Sequence, residues 1–151
     1  MMPDLVLASR SSSIQTMMTP YLHELVPDGP PAYPQLQLYW EDRDRSPYLI
    51  RVGDQDAGFA LVRHHRDTGC NEMAEFYVGP AHRRQGIGRA AAEALFDRHP
   101  GRWHLQVLTN NARARAFWRE VIPPPIREEP RRAANGRPFI LVHFRTGGRS
   151  C

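Results

Sequence analysis

Lysine is absent from the sequence, and all 20 basic side chains other than histidine are arginine. The chain therefore offers no lysine side chain for modification, and codon bias in a GC-rich genome explains the composition most simply. The formal net charge is +4, which fits an anionic small ligand. This excess is too small and too scattered to indicate a nucleic-acid surface, and a nucleic-acid hypothesis would rest on the arginine count alone.

Cysteine is also scarce, with only Cys70 and Cys151, which argues against a disulfide framework. No pair of Cys or His residues has the sequence spacing of metal ligands. His64 and His65 are adjacent, so a strand would point them to opposite faces, and we expect no metal. We interpret Cys70 as a hairpin-end thiol rather than a covalent nucleophile, because nothing in the sequence orients a base beside it.

Long hydrophobic runs are missing as well. The longest apolar stretches fall far short of the ~18 residues of a membrane span. The first residues, MMPDLVLASRSSS, contain an early acid and do not resemble a secretory signal. We therefore expect a cytoplasmic protein with no membrane partner. A length of 151 residues predicts a single domain, 1–151, with a substantial core.

The N-terminal half of the sequence predicts early helices followed by an antiparallel meander. A strand is expected at 5–8 and a helix over 14–25, which Pro20 should kink or divide into two. The segment 35–40 fits either a short helix or a strand. Alternating apolar residues and turn signals then predict three strands, at 48–52, 57–63 and 72–78.

The C-terminal half predicts alternating helices and strands. The expected elements are a helix at 88–98, a strand at 103–108, a helix at 112–121 and a strand at 139–144. Asn135-Gly136 indicates a hairpin turn leading into the last strand. The order of elements predicts a mixed α/β domain.

The stretch HRRQGIG, from His82 to Gly88, has three interpretations. It fits a plain turn. It also matches the dinucleotide fingerprint through Gly86, Gly88 and Ala91, but the preceding strand ends near Val78 and no acid follows at the distance that the ribose requires. The third interpretation is a pyrophosphate loop, whose free backbone N–H groups lie at the start of a helix. A nucleotide P-loop is excluded, because no G-K-[ST] follows.

Three motifs together resemble the GCN5-related N-acetyltransferase (GNAT) superfamily. They are R-x-x-G-x-G at 83–88, the preceding strand AEFYV at 74–78 and the helix NNARARAFWREV at 110–121. Their order and spacing match the family over residues ~57–121. The resemblance implies the GNAT-like acyl-CoA N-acyltransferase fold, with a central, mostly antiparallel sheet flanked by helices. It also implies acetyl-CoA as co-substrate.

The resemblance implies a site for each part of the cofactor. The pantetheine arm would lie between two splayed strands and pair with the backbone of Phe76, Tyr77 and Val78. Asn111 would bond the arm, and Phe117 and Trp118 would pack near the thioester. The pyrophosphate would bind the loop formed by Arg83, Arg84, Gln85, Gly86, Ile87, Gly88 and Arg89.

The implied reaction is direct attack of a primary amine on the acetyl thioester, which requires a base. Glu72 lies where several family members carry a carboxylate base, and Glu75 is the rival. A regular strand would place the two on opposite faces, whereas a β-bulge would change that relation. By position in the family, Tyr33, Tyr39 and Trp40 would cover the acceptor, as an amine-binding pocket or simply as core.

The sequence departs from the family pattern at two places. Trp118 replaces a tyrosine that often protonates the leaving thiolate, and VIPPP at 121–125 replaces the usual Gly-Phe. The first departure leaves three alternatives: Tyr77 as the acid, a water as the acid, or no dedicated acid, because a thiolate is a fairly good leaving group. It also keeps open a catalytically weak acyl-CoA-binding or sensor module of the same fold.

The acceptor is expected to be a small-molecule or peptide amine, and a homodimer is a common assembly in the family.

Overall fold

The computed structural model describes residues 2–10, 12–28 and 32–147, which form one sheet with helices on both faces. The seven strands are β1 Asp4–Leu7, β2 Arg45–Val52, β3 Gln55–His65, β4 Cys70–Val78, β5 Gly101–Leu108, β6 Arg127–Arg132 and β7 Pro138–Thr146. The helices are α1 Ile14–Leu25, α2 Ile87–Arg98 and α3 Ala112–Val121, with shorter 3-10 helices at Pro34–Trp40 and Pro80–His82. The predicted mixed α/β class is confirmed.

The first helix is continuous through Pro20, so of the two expected alternatives, a kink or a division into two helices, the division is wrong. Proline removes one N–H donor from the helix. Packing compensates, because Ile14, Met18 and Tyr21 are buried against the sheet. The undecided segment at 35–40 belongs to a 3-10 helix that begins at Pro34.

The strand order is β1-β2-β3-β4-β5-β7-β6, and every neighbouring pair is antiparallel except β4 and β5. The parallel pair is joined over three positions only, from Asn71 opposite Trp103 to Met73 opposite Leu105. Beyond Met73 the two strands separate, although β4 continues to Val78 and β5 to Leu108. The sheet therefore has an opening in its middle, as the family resemblance implies.

Strand β6 lacks a strand signal in the sequence, and it is the only strand of the described ranges that we did not expect. Its residues, REEPRR, are mostly exposed and contain no apolar alternation. The strand forms because the Asn135-Gly136 turn brings it alongside β7, where Arg132 lies opposite Pro138. Its edge position tolerates Pro130, which has no N–H to donate.

Two hydrophobic clusters cover the two faces of the sheet. Helices α2 and α3 pack on one face, where Leu95 and Trp103 are almost fully buried. Helix α1 and the 3-10 helix at 34–40 pack on the other face, around Phe59 and Leu61. No helix within the described ranges is long and apolar enough to span a membrane.

Candidate active site

A β-bulge in β4 brings Glu72 and Glu75 to the same face of the sheet. On β3, Leu61 lies opposite Glu75 and Val62 lies opposite Met73, so Ala74 is the extra residue. The extra residue reverses the alternation of side chains beyond it. Both carboxylates consequently lie on the face covered by α1 and the 3-10 helix.

Glu75 is held by tyrosine hydroxyls from the two segments that cover this face. Tyr21 in α1 donates a hydrogen bond to Oε1 of Glu75, and Tyr33, just before the 3-10 helix, donates a second. Desolvation raises the pKa of Glu75 to about 6, and the charge of Glu72 acts in the same direction. The two hydrogen bonds lower the pKa, because they stabilise the carboxylate.

The tyrosines around Glu75 keep their protons. Burial, followed by the charge of Glu75, raises the pKa of Tyr21 and of Tyr33 well above the ordinary 10.0. Burial also raises the pKa of Tyr39 to about 12. These hydroxyls therefore serve as hydrogen-bond donors over the whole physiological pH range.

Glu72 has different neighbours. Its Oε1 lies 2.8 Å from Nε2 of His65, and the side chains of the pair are 19% and 23% exposed. On β5, His104 lies opposite Glu72 in the strand register. Of the two carboxylates that the sequence offered as bases, Glu75 bonds to tyrosine hydroxyls and has a pKa raised by desolvation, and Glu72 is paired with an imidazole.

The opening between β4 and β5 is lined by aromatic rings. Phe76 stacks on Phe117 at a centroid distance of 5.7 Å and meets Trp118 edge-on at 5.2 Å. Trp118 is 8% exposed and belongs to the core on the α2–α3 face. The tryptophan that replaces the family tyrosine is therefore a packing residue at the edge of the opening.

Backbone groups of β4 also face this opening. The carbonyl of Tyr77 points toward β3, since a Cβ built on Gly58 would lie 2.0 Å from that oxygen. By alternation, the polar backbone groups of Phe76 and Val78 point the other way, toward the opening. The carbonyl of Val78 already accepts a hydrogen bond of 2.8 Å from Nε of Arg83.

The loop before α2 presents a run of free backbone amides. Arg84 and Gly86 have positive φ angles of 61° and 77°, and the first backbone bond of α2 is from Ala90 N–H to the Gly86 carbonyl at 3.1 Å. Among the described residues, no acceptor is paired with the N–H groups of residues 84–89. Such a concave set of amides at a helix N-terminus favours anions.

The two arginines of the loop have different roles. Arg83 turns back to α1, where its guanidinium lies 2.6 Å from Oε1 of Glu24, and it also lies over the ring of Tyr77 at 5.7 Å. Arg84 is exposed. Arg83 thus connects α1 to the end of β4, whereas Arg84 adds positive charge at the rim of the loop.

Gly88 lies at the contact between α2 and α3, and Asn111 caps α3. A Cβ on Gly88 would lie 3.2 Å from Cε1 of Phe117, so a side chain there would push against the ring. The side chain of Asn111 accepts a hydrogen bond of 3.1 Å from Ala114 N–H and caps α3. Asn111 therefore has a structural role in addition to the cofactor contact that the resemblance implies.

The three aromatic residues expected to cover the acceptor separate into two groups. Tyr33 and Tyr39 lie near the carboxylates, although Tyr39 is 3% exposed and already faces the guanidinium of Arg45 at 5.4 Å. Trp40 instead donates a 2.9 Å hydrogen bond to the carbonyl of Ala8. Tyr33 also lines an open groove of about 430 Å³ between α1 and the 3-10 helix.

Tyr21 is a site residue that the sequence analysis missed. Its position in an apolar stripe of α1 indicated only a core residue. A buried tyrosine generally finds a partner for its hydroxyl, and this was the available signal. The partner itself, Glu75, follows 54 residues later, and only the tertiary structure identifies it.

Comparisons with known proteins agree with this architecture. Residues 12–121 match the family described as the acetyltransferase (GNAT) family, so the match includes α1 as well as the three motifs. A search of curated proteins found no match.

Solved structures with the same fold include several acetyltransferases. The ribosomal-protein-S18-alanine N-acetyltransferase from Escherichia coli is 18% identical, with a TM-score of 0.68 over 98% of this chain and 96% of that chain. An acetyltransferase from Thermus thermophilus is 16% identical, with a TM-score of 0.71 over 94% and 96% of the two chains. A GNAT family acetyltransferase from Elizabethkingia anophelis with acetyl-CoA bound is 12% identical, with a TM-score of 0.66 over 95% and 97%.

The match covers well over half of the sequence, from α1 to the end of α3. The splayed strands, the amide-lined loop and the bulged strand all lie within it. The chain therefore belongs to the GNAT acetyltransferase family.

Proposed function

We propose that the protein is an N-acetyltransferase that transfers the acetyl group of acetyl-CoA directly to a primary amine. One observation carries the proposal: the opening between β4 and β5 lies between an amide-lined loop and a desolvated carboxylate, Glu75. Family membership supports the same activity. The Elizabethkingia anophelis relative has acetyl-CoA bound.

The cofactor would bind from the loop to the opening. The pyrophosphate would accept hydrogen bonds from the amides of residues 84–89, assisted by the positive end of the α2 dipole. The amides of the pantetheine arm would pair with the backbone of β4 at Phe76. At Val78 the carbonyl is already bonded to Arg83, so only its N–H would be available to the arm. Phe117 and Trp118 would border the thioester.

Glu75 would act as the general base. Glu75 removes one proton from the ammonium group of the acceptor, and the neutral amine nitrogen then attacks the thioester carbonyl carbon. The C–S bond breaks to release the thiolate of CoA, and the second proton of the nitrogen passes to water. A base with a pKa of about 6 is mostly ionised at neutral pH and still accepts a proton effectively. A thiol with an ordinary pKa, about 8.5, is a good enough leaving group to depart as a thiolate without a dedicated acid. The absence of the family's acidic tyrosine, which Trp118 replaces, is therefore consistent with catalysis.

The acceptor would carry a positive charge before it reacts. Glu72 and Glu75 lie on one face, and Tyr33 presents an aromatic ring beside them. Carboxylates attract an ammonium group, and an aromatic face adds a cation–π contact. These features favour an alkylamine of a small molecule or a peptide N-terminus over an uncharged acceptor.

The thermal midpoint of the purified protein tests the cofactor part of the proposal. A ligand at ~100 times its dissociation constant stabilises the folded state by about 2.7 kcal/mol, which raises the midpoint of a domain of this size by several degrees. We expect this rise with CoA and acetyl-CoA and none with NAD. A rise with NAD alone would instead support the dinucleotide interpretation of the loop.

The sensor alternative is tested by turnover. If CoA raises the midpoint but no acetylated product forms over a broad panel of primary amines, the protein binds acyl-CoA without catalysis. Release of CoA together with an acetylated amine, detected by mass spectrometry, would exclude the sensor.

A further inference from the structure

We propose that His65, Glu72 and His104 form a binding site for one divalent transition-metal ion of the zinc type. Each residue contributes one ligand atom, and the three atoms lie within 4.8 Å of one another. The residues belong to three neighbouring strands, β3, β4 and β5. The cluster shares Glu72 with the proposed acceptor site, but neither Glu75 nor the loop before α2 belongs to it, so the test of metal binding does not depend on acetyl transfer.

The strand register explains why the three side chains converge. Glu72 lies opposite His104, and residues opposite each other in neighbouring strands share a face of the sheet. His65 reaches the same carboxylate diagonally from β3, with 2.8 Å between Nε2 and Oε1. The ring centroids of His65 and His104 are 5.3 Å apart. His65 and Glu72 are seven positions apart in sequence, and His104 follows only after the 3-10 helix at 80–82 and α2, so local sequence spacing gave no metal signal.

Two imidazoles and one carboxylate form a donor set that zinc uses in proteins. With bonds of about 2.0–2.2 Å and tetrahedral geometry, ligand atoms lie roughly 3.3–3.6 Å apart. Small side-chain rotations would bring atoms that are within 4.8 Å of one another to that spacing. The ion would take the place of the direct contact between Nε2 of His65 and Oε1 of Glu72.

His104 supplies a second, independent observation. Its Nδ1 is buried, and no described residue forms a hydrogen bond with it. A buried nitrogen without a partner is uncommon in native proteins, and a bound ion is one arrangement that satisfies such an atom. The other two side chains are 23% and 19% exposed, so an ion can enter from solvent and keep a coordination position open to water.

A further histidine borders the cluster on the next strand. His143 of β7 lies opposite His104, and its Nε2 is 2.9 Å from a carboxylate oxygen of Glu129. A histidine that binds a metal usually directs its other ring N–H to a carboxylate, whereas His143 lies beside Glu129 and outside the three-residue cluster. His143 would therefore act as a neighbour of the ion's ligands rather than as one of the three.

Titration of untagged, chelator-treated protein with Zn²⁺ by calorimetry, and with Co²⁺ by visible absorption, tests the site. We expect one ion per chain and a Co²⁺ spectrum typical of nitrogen and oxygen ligands. Loss of a residue that only hydrogen-bonds to a metal ligand costs about 10–100-fold in metal affinity. His65→Gln and His104→Gln each remove a ligand itself, so each should weaken binding by at least about a hundredfold.

His64→Gln is the matched control, because His64 is adjacent in sequence but bonds to Asn71. Affinity in this variant should equal that of the wild type. The thermal midpoint of each variant shows whether the protein is folded. If His104→Gln unfolds, His65→Gln still tests the site, because the His65 side chain is 23% exposed and its loss should disturb the fold little. Absence of saturable binding to the wild type would overturn the proposal, as would binding that survives both ligand substitutions or is lost equally in His64→Gln.

Discussion

The hydroxyl of Tyr21 in α1 donates a hydrogen bond to the carboxylate of Glu75 in β4. The contact joins the helix that covers one face of the sheet to the strand that borders the opening between β4 and β5. It also balances the electrostatics of the site, because desolvation raises the pKa of Glu75 while the hydroxyls of Tyr21 and Tyr33 lower it. The resulting pKa of about 6 is a property of several residues together.

Removing the Tyr21 hydroxyl should shift the acidic limb of the pH–rate profile to higher pH. The base must be ionised to act, so kcat/KM of the wild type should rise with pH around the Glu75 pKa of about 6. Tyr21→Phe removes an interaction that lowers this pKa. Profiles of both proteins with the same amine measure the shift, and an unchanged limb would mean that another group controls it.

Glu72→Gln should move the same limb in the opposite direction. The negative charge of Glu72 raises the pKa of Glu75, so a neutral side chain at this position lets Glu75 lose its proton at lower pH. The shift should be smaller than that of Tyr21→Phe, because the effect of Glu72 ranks below the hydrogen bond of Tyr21. A shift to higher pH would contradict the arrangement of charges described above.

Glu75→Gln should stabilise the fold at neutral pH. The folded-state pKa of about 6 lies above the ordinary 4.5, so the folded state binds this proton more tightly. That contribution to stability is complete below pH 4.5 and is lost as the pH rises through 6. The interval of about 1.5 pH units corresponds to about 2 kcal/mol.

Urea unfolding at pH 4 and pH 8 measures this effect. The free energy of unfolding of Glu75→Gln should exceed that of the wild type by about 2 kcal/mol at pH 8, and the difference should shrink toward pH 4. Glu120→Gln, an exposed position in α3, serves as the control and should show no such trend. Equal stability of wild type and Glu75→Gln at both pH values would argue against a desolvated carboxylate.

Gly86 tests the importance of the loop conformation. Its φ of 77° is left-handed, and a Cβ there would meet nothing within 4 Å, so backbone strain rather than a clash limits substitution. Asparagine tolerates this conformation better than a β-branched residue does. Gly86→Val should therefore lose CoA affinity and about 1–2 kcal/mol of stability, while Gly86→Asn should lose less of both. Equal CoA affinity in the two variants would mean that this φ angle does not shape the anion site.

Most of the fold could be predicted from the sequence, because its elements carry strong local signals. The buried strands around Phe59 and Trp103 have apolar patterns, and α3 has an apolar face with Trp118. Strand β6 could not be predicted, because its polar sequence gains strand structure only from pairing with β7. The continuity of α1 through Pro20 likewise depends on packing against the sheet.

The site was predictable where its motif is local. The amide-lined loop before α2 follows from R-R-Q-G-I-G, and the bulge that sets Glu72 and Glu75 was one of two stated alternatives. The partners of these carboxylates were not predictable. Tyr21 and His104 come from segments far apart in sequence, so only the folded sheet and its covering helix bring them together.

The rate of acetyl transfer by Glu75→Gln tests the central claim most directly. CoA release and acetylated product would be measured with one reactive amine for the wild type, Glu75→Gln, Glu72→Gln and the surface control Glu120→Gln. Loss of a general base costs about 10²–10⁴-fold, so Glu75→Gln should lose this much of kcat while still binding acetyl-CoA, and the other two should lose less than about tenfold. Wild-type turnover in Glu75→Gln would contradict the account.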